Sequence, residues 1–327
     1  MLGFVEITPW HWAGFILCIL FFLALDLGLF NRHAHVVKFK EAAAWSALWF
    51  VLAMGFAGAV AAGRGREEAI QFTTGYLIEL SLSMDNVFVI ALIFAFFRVP
   101  PQYQHRVLFW GIIGALVMRG VMIAAGAALV QRFQWILYLF GVLLVATGIK
   151  MLFVKEGGVN PEKRLIVRWA RKLFHVTPEL QGQKFITRLE GRTVLTPLAL
   201  VLLVVETTDL FFALDSIPAI FAVTTKPFII FTSNVFAILG LRSLYFLLAG
   251  AIDYFRYLKV GLSVVLVFIG FKMLLDPHGQ EPKRFQVEIP TGVSLMIVAT
   301  ILIIAVVLSV MVAEREKRSG VAKSSKP

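Results

Sequence analysis

Residues 206–224 read ETTDLFFALDSIPAIFAVT, and residues 75–89 read GYLIELSLSMDNVFV. With their flanks both are apolar runs of membrane length, and both carry acids: Glu79 and Asp85 in one, Glu206, Asp209 and Asp215 in the other. A charge at the bilayer centre costs at least about 2.5–3.5 kcal/mol. Such groups must pair, line water or bind ions. The two stretches therefore read as membrane helices whose ionisable side chains turn inward.

The rest of the chain agrees. Of 327 residues, 59% are hydrophobic and 16% charged, and 30 are Phe; a soluble domain carries roughly 25% charged residues. So few charges cannot coat a globule of this size, which excludes a soluble enzyme, a secreted disulfide scaffold and a disordered protein. Runs of about 20 apolar residues fall near 11–31, 42–62, 71–97, 104–130, 133–154, 193–223, 228–252, 255–276 and 289–313. The predicted fold is all-α: one polytopic membrane domain over 1–327 with about nine transmembrane helices. Segment 155–192 reads as a loop carrying an amphipathic surface helix (Leu165, Val167, Trp169, Leu173, Phe174), and 314–327 as a basic tail. Trp10, Trp12, Trp45, Trp49, Trp110 and Trp135 fall near span ends, as an aromatic belt does.

With the N-terminus outside, 21 of the 31 Lys and Arg fall in inner segments and 6 in outer ones; Arg119, Lys150, Arg242 and Lys272 lie within spans. The asymmetry predicts N-out, C-in, and explains the net charge of +11 without nucleic acid. The opening Met1-Leu2-Gly3-Phe4-Val5-Glu6 has no basic region, so a cleaved signal peptide is not expected. Cys18 stands alone and can form no intrachain disulfide.

Two parts of the chain look alike. LLVATGIKML (143–152) matches VLVFIGFKML (265–274), pairing Gly148 with Gly270 and Lys150 with Lys272. Arg119 and Arg242 precede those lysines by 31 and 30 residues, and Glu79 and Asp85 match Asp209 and Asp215 at a spacing of 130. Each unit, 71–154 and 193–276, holds three helices. Three is odd, so the second unit enters from the opposite face, which predicts an inverted repeat with the substrate site near the midplane.

Spacing divides the acids. Glu206 and Asp209 share a helix face, whereas Glu79 and Asp85, like Asp209 and Asp215, are six residues and about 240° apart. Pro218 removes a backbone donor, predicting a broken or kinked sixth helix, with Asp85-Asn86 the matching point in the third. A break would turn both carboxylates of a helix into one cavity. Carboxylates and amides form all-oxygen sites that suit Mg²⁺, Ca²⁺ and Mn²⁺. With Asp26, the six intramembrane acids and four bases sum to −2, which one divalent cation would neutralise. Arg119 and Arg242 are expected to pair with acids across helices, gating or coupling being the alternative. Lys150 and Lys272 are near enough to span ends to snorkel. Asn234 is either an oxygen ligand or an interhelical hydrogen-bond partner, and Met84 reads as packing filler.

These motifs, with TSNVFAILGLRSLYFLLAG (232–250) and ALDLGLFNR (24–32), resemble the TerC family of integral membrane proteins, and within it the Alx branch. The resemblance implies Mn²⁺ efflux across a bacterial inner membrane, N-terminus periplasmic and C-terminus cytoplasmic. Mn²⁺ would be the transported substrate, with no cofactor. Its implied ligands are Glu79, Asp85, Asn86, Glu206, Asp209 and Asp215. Asp26, Asn234, Ser216, Arg119 and Arg242 are additional candidates for the site or its coupling. The family also resembles the LysE-type transporters in its two three-helix repeats, and its name comes from tellurium resistance.

No phosphate-binding loop occurs, so a transporter here would draw on an ion gradient, with protons the natural counter-ion. The sequence has no nucleophile–His pair and no HExxH, and is not expected to be an enzyme. Alternative readings are transport of Ca²⁺ or a tellurium-related ion, or a non-transporting partner in metal supply to exported proteins. The expected partners are Mn²⁺ and membrane lipid, and the sequence is compatible with a homo-oligomer.

Overall fold

In lipid every backbone N–H must be satisfied within its own segment, so apolar runs of this length fold as helices. The computed structural model describes residues 7–25, 39–153, 176–177, 180–189, 192–249, 257–276, 287 and 289–318. Among them are nine helices: α1 (Pro9–Leu25), α2 (Phe39–Arg64), α3 (Arg66–Phe96), α4 (Pro101–Arg132), α5 (Ile136–Phe153), α6 (Pro197–Phe221), α7 (Pro227–Ala249), α8 (Leu258–Leu275) and α9 (Thr291–Arg318). Helices α2 to α9 are long and apolar enough to cross a membrane; the molecule is an all-α polytopic membrane protein. The first expected span, 11–31, is seen as a helix of 17 residues ending at Leu25. Asp26 and the expected surface helix near 165–174 lie outside the described residues. Helix α9 carries on to Arg318, five residues into the segment read as a tail.

The polar segment ends in a feature the sequence reading missed. Strands β1 (Ile186–Leu189) and β2 (Arg192–Leu195) form an antiparallel hairpin. Thr196 closes it, its N–H donating to the Phe185 carbonyl at 3.0 Å, and Pro197 then starts α6, a position where the missing N–H costs nothing. The hairpin docks on α4 through Arg106, which donates to Gln183 Oε1 at 3.2 Å and lies over the Phe185 ring.

Contacts fix the helix directions. Between α3 and α7 the pairs Glu68–Lys226, Gly75–Ser233 and Phe94–Tyr245 rise together, so these helices run parallel. Between α4 and α6 the pairs Gly111–Val205, Arg119–Asp209 and Gly126–Phe221 do the same. Between α5 and α6 the order reverses, with Phe140 against Phe221 and Thr147 against Asp215. Helices an even number apart run the same way and those an odd number apart run oppositely, as expected if each crosses the bundle once.

The α5–α8 contact is reciprocal. A Cβ on Gly148 would lie 2.8 Å from Ser263 O and 2.8 Å from Val267 Cγ2. A Cβ on Gly270 would lie 2.8 Å from Gly141 O and 2.8 Å from Val145 Cγ2. Ser263 and Val267 precede Gly270 by seven and three residues; Gly141 and Val145 precede Gly148 by the same steps. The two helices are antiparallel, and a local two-fold exchanges them. Only glycine lets backbones approach this closely.

The expected helix break is corrected here. Helices α3 and α6 run unbroken through Asp85-Asn86 and Asp215–Pro218. Pro218 lies in the last turn before Phe221, where its missing N–H forfeits a single bond near a helix end. Gly148→Ala is expected to destabilise the protein by about 1–3 kcal/mol through overpacking against backbone. Gly55→Ala, with nothing within 4 Å, should be neutral or stabilising, since Ala is the better helix former by about 1 kcal/mol. Thermal unfolding in detergent compares the two.

Candidate functional site

The two most deeply buried charged side chains among the described residues meet at one place. Arg119 on α4 and Glu79 on α3 are 2% and 1% exposed and form an ion pair through Arg119 Nη1 and Glu79 Oε1. The same guanidinium grips Asp209 on α6 in a two-pronged contact, Nη2 donating to Oδ1 at 2.9 Å and Nε to Oδ2 at 3.2 Å. Nη1 also donates to Ser216 Oγ at 3.3 Å. Guanidinium suits this position because its planar fork of donors can serve two acids at once. The expected pairing of Arg119 with acids across helices is observed.

Helix geometry explains which residues reach it. Ser216 follows Asp209 by seven residues, within about 20° of two full turns, so both face α4. Asp215 follows Asp209 by six and is turned about 240° away; it faces α5 and accepts a hydrogen bond from Thr147 Oγ1 at 3.0 Å. Lys150, one turn further on α5, is exposed and within electrostatic reach of Asp215. On α3 the same arithmetic places Asn86, seven past Glu79, on the Glu79 face, where it is buried. Asp85 is half-buried on another face.

Glu206 is half-buried one turn before Asp209 and fills the space left by Gly114 of α4, where any Cβ would overlap its carboxylate. Its charge and that of Asp209 act on each other. Asn234 on α7 is 1% exposed, with neither amide atom hydrogen-bonded among the described residues, and Ser83 Oγ of α3 is likewise buried without a partner. Asn234 follows Ser233, whose Oγ lies 3.0 Å from the Cβ position of Gly75, one turn before Glu79. Arg242 has a partner of its own.

The six implied ligands are thus not gathered into one cluster. Among the described residues no three His, Cys, Asp or Glu side chains could hold a metal ion together. Continuous helices keep Asp85 and Asp215 off the faces of Glu79 and Asp209, and the cation between those two acids is Arg119. The sequence reading also missed Gly114 and Thr147; their only signals are the Gly111-x-x-Gly114 spacing and the place of Thr147 in the repeated LLVATGIKML.

A cavity of about 800 Å³ opens at the bundle end where α3 starts and α6 finishes, lined by Gln71, Phe221, Thr224, Lys226, Lys272 and Asp276 among others. Lys272, expected to snorkel, is instead 5% exposed, 4.0 Å from Asp276. Between cavity and ion pair stands an apolar plug: Ile220 Cδ1 lies 3.0 Å from the Cβ position of Gly75, and Phe221 Cε2 lies 2.9 Å from that of Gly126.

A family model described as "Integral membrane protein TerC family" matches residues 64–317. An uncharacterized membrane protein of Myxococcus xanthus is 53% identical over 304 residues, 93% of each chain. A Salmonella typhi protein named "Putative membrane-bound redox modulator Alx" is 46% identical over 321 residues, covering 95% of this chain and 97% of its own. A protein of the same name from Escherichia coli K12 is 45% identical over 323 residues, covering 96% and 98%. No solved structure matches.

Removing one partner of a buried ion pair costs about 3–5 kcal/mol, so Arg119→Ala should be among the most destabilising substitutions in the bundle. Thr147→Val, which leaves an acceptor unserved, should cost about 1–3 kcal/mol. Thermal unfolding of purified protein ranks them; the reverse order would contradict this picture of the charges.

Proposed function

The chain belongs to the TerC family of integral membrane proteins, and from that premise we propose that it is a secondary transporter exporting Mn²⁺ across a bacterial inner membrane. The N-terminus is periplasmic and the C-terminus cytoplasmic, and the protein is not an enzyme. The observation that carries this reading is the meeting of Glu79 and Asp209, acids 130 residues apart, at one buried centre. A soluble fold can tolerate a structural ion pair at its surface; here two acids and a base sit inside apolar helices, a placement associated with ion pathways.

Two inverted three-helix repeats, α3–α5 and α6–α8, build the transporter. The exchange of α5 and α8 about a local two-fold supports this, as does the pairing of α3 with α7 and α6 with α4 in matching parallel contacts. In such folds the substrate site lies between the repeats and is exposed to each side in turn. The cavity at the α3 start is the outer vestibule under this orientation, and Ile220 and Phe221 seal it from the centre. Mn²⁺ takes oxygen ligands, which Glu79, Asp209, Asn86 and Asn234, whose amide has no hydrogen bond among the described residues, can supply. Asp85, Glu206 and Asp215 are intramembrane acids along the path. No nucleotide-binding loop is present to supply energy, so an ion gradient drives the transport, with protons the counter-ion in this reading.

Relatives described as redox modulators do not favour direct thiol chemistry here, because the sequence holds one cysteine, Cys18. Ca²⁺ shares the ligand preference of Mn²⁺ and is the second reading.

In sealed liposomes Mn²⁺ flux driven by a pH gradient should fall by about two orders of magnitude in Glu79→Gln and in Asp209→Asn, the scale of losing about 3 kcal/mol. Truncation after Arg318, beyond the end of α9, should leave flux intact. Absence of wild-type Mn²⁺ flux under any gradient, with Ca²⁺ flux present, would move the second reading to the front. Absence of both would leave the metal-supply partner.

A further inference from the structure

We propose that Arg119 is a tethered competitor of the transported divalent cation: its guanidinium holds Glu79 and Asp209 until the cation displaces it, and Glu206 then receives it. The proposal rests on the cation-transport reading above and adds to it the residue that sets affinity.

Charge and space both lead there. Glu79 and Asp209 come from different helices, and among the described residues the basic side chain that pairs with both is Arg119. A divalent cation bridging these two acids satisfies them fully. Arg119 would then be a buried surplus charge inside apolar helices, which is untenable without a new partner. Glu206 is that partner. It lies one turn before Asp209 on α6, and its carboxylate is seated over Gly114 on the helix of Arg119 itself. Long side chains on a helix lean toward its N-terminus, so Arg119 reaches back along α4 in the direction of Gly114. Glycine at 114 makes the seat: any side chain there would occupy the place of the Glu206 carboxylate. Glu79 meets Arg119 through an ion-pair contact and neither of its carboxylate oxygens accepts a hydrogen bond among the described residues, whereas Asp209 accepts two from the same guanidinium, so Glu79 is the acid released first.

The exchange neutralises the local charge, since the divalent cation joins one guanidinium and three carboxylates. Before it, one guanidinium faces two carboxylates with a third one turn away. After it, the divalent cation faces two carboxylates and the guanidinium faces the third. A structural ion pair would need neither the third acid nor the glycine beneath it.

The test measures Mn²⁺ binding to detergent-purified full-length protein, by loss of the free Mn²⁺ paramagnetic signal, for wild type, Arg119→Gln, Arg119→Lys, Glu206→Gln and the double variant Arg119→Gln/Glu206→Gln. Each is first checked as a monodisperse species by size-exclusion chromatography. Lysine keeps the charge but cannot make the two-pronged contact, so Arg119→Lys serves where Arg119→Gln does not fold. Both are expected to bind Mn²⁺ about tenfold tighter or more, the factor held in one charge-assisted hydrogen bond. Glu206→Gln should bind about tenfold more weakly than wild type yet change nothing when Arg119 is already Gln. Arg119 variants that elute normally and bind no tighter would overturn the proposal while leaving the transport reading in place. A Glu206→Gln effect that persists in the double variant would make Glu206 a direct ligand and remove its role as receiver. No Mn²⁺ binding by any form would sink the transport reading itself.

Discussion

The fold is organised around charges that cannot be left alone in an apolar interior. Each of Glu79, Arg119 and Asp209 would cost several kcal/mol unpaired at that depth. The guanidinium resolves this by joining α3, α4 and α6 at one point. That junction fixes the rotation of three helices at once, because only one face of each can meet it. The remaining polar groups follow from the same rotation: Ser216 shares the Asp209 face, and Asp215 is carried round to Thr147 on α5.

Small residues let the junction form. Gly111 and Gly114 bring α6 against α4, Gly75 admits Ile220 and Ser233, and Gly141, Gly148 and Gly270 bring α5 against α8. Between membrane helices there is little hydrophobic drive, so close backbone approach and buried polar pairs supply the association. Stability and the proposed function are therefore drawn from the same contacts. A substitution that loosens the α5–α8 seam reaches the ion pair through α6, which contacts α5 at Asp215 and α4 at Arg119.

Much of this was legible in the sequence. Eight of the nine spans were marked by apolar length alone, and the repeated glycine and lysine positions pointed to the two helices that pack reciprocally. The identity of the buried charges was also legible, because acids in apolar runs are rare. Their partners were not. Arg119 and Asp209 are 90 residues apart, and no local spacing encodes a contact across three helices. The expected helix break failed for a physical reason: Pro218 lies so close to the end of α6 that the helix loses one hydrogen bond instead of its continuity. That continuity in turn divided an acid set that a break would have gathered. The β1–β2 hairpin was missed because its strands are four residues each, too short for alternation to show.

Locating bound manganese tests the central claim, that Glu79 and Asp209 form one cation-accepting centre from which Arg119 must withdraw, more directly than any functional assay. Anomalous diffraction at the manganese edge, from crystals of the full-length protein grown with Mn²⁺, would do this. The account predicts one peak between α3 and α6, about 2–2.6 Å from carboxylate oxygens of Glu79 and Asp209, with the Arg119 guanidinium moved to Glu206. A peak elsewhere in the bundle, with Arg119 still holding both acids, would contradict it.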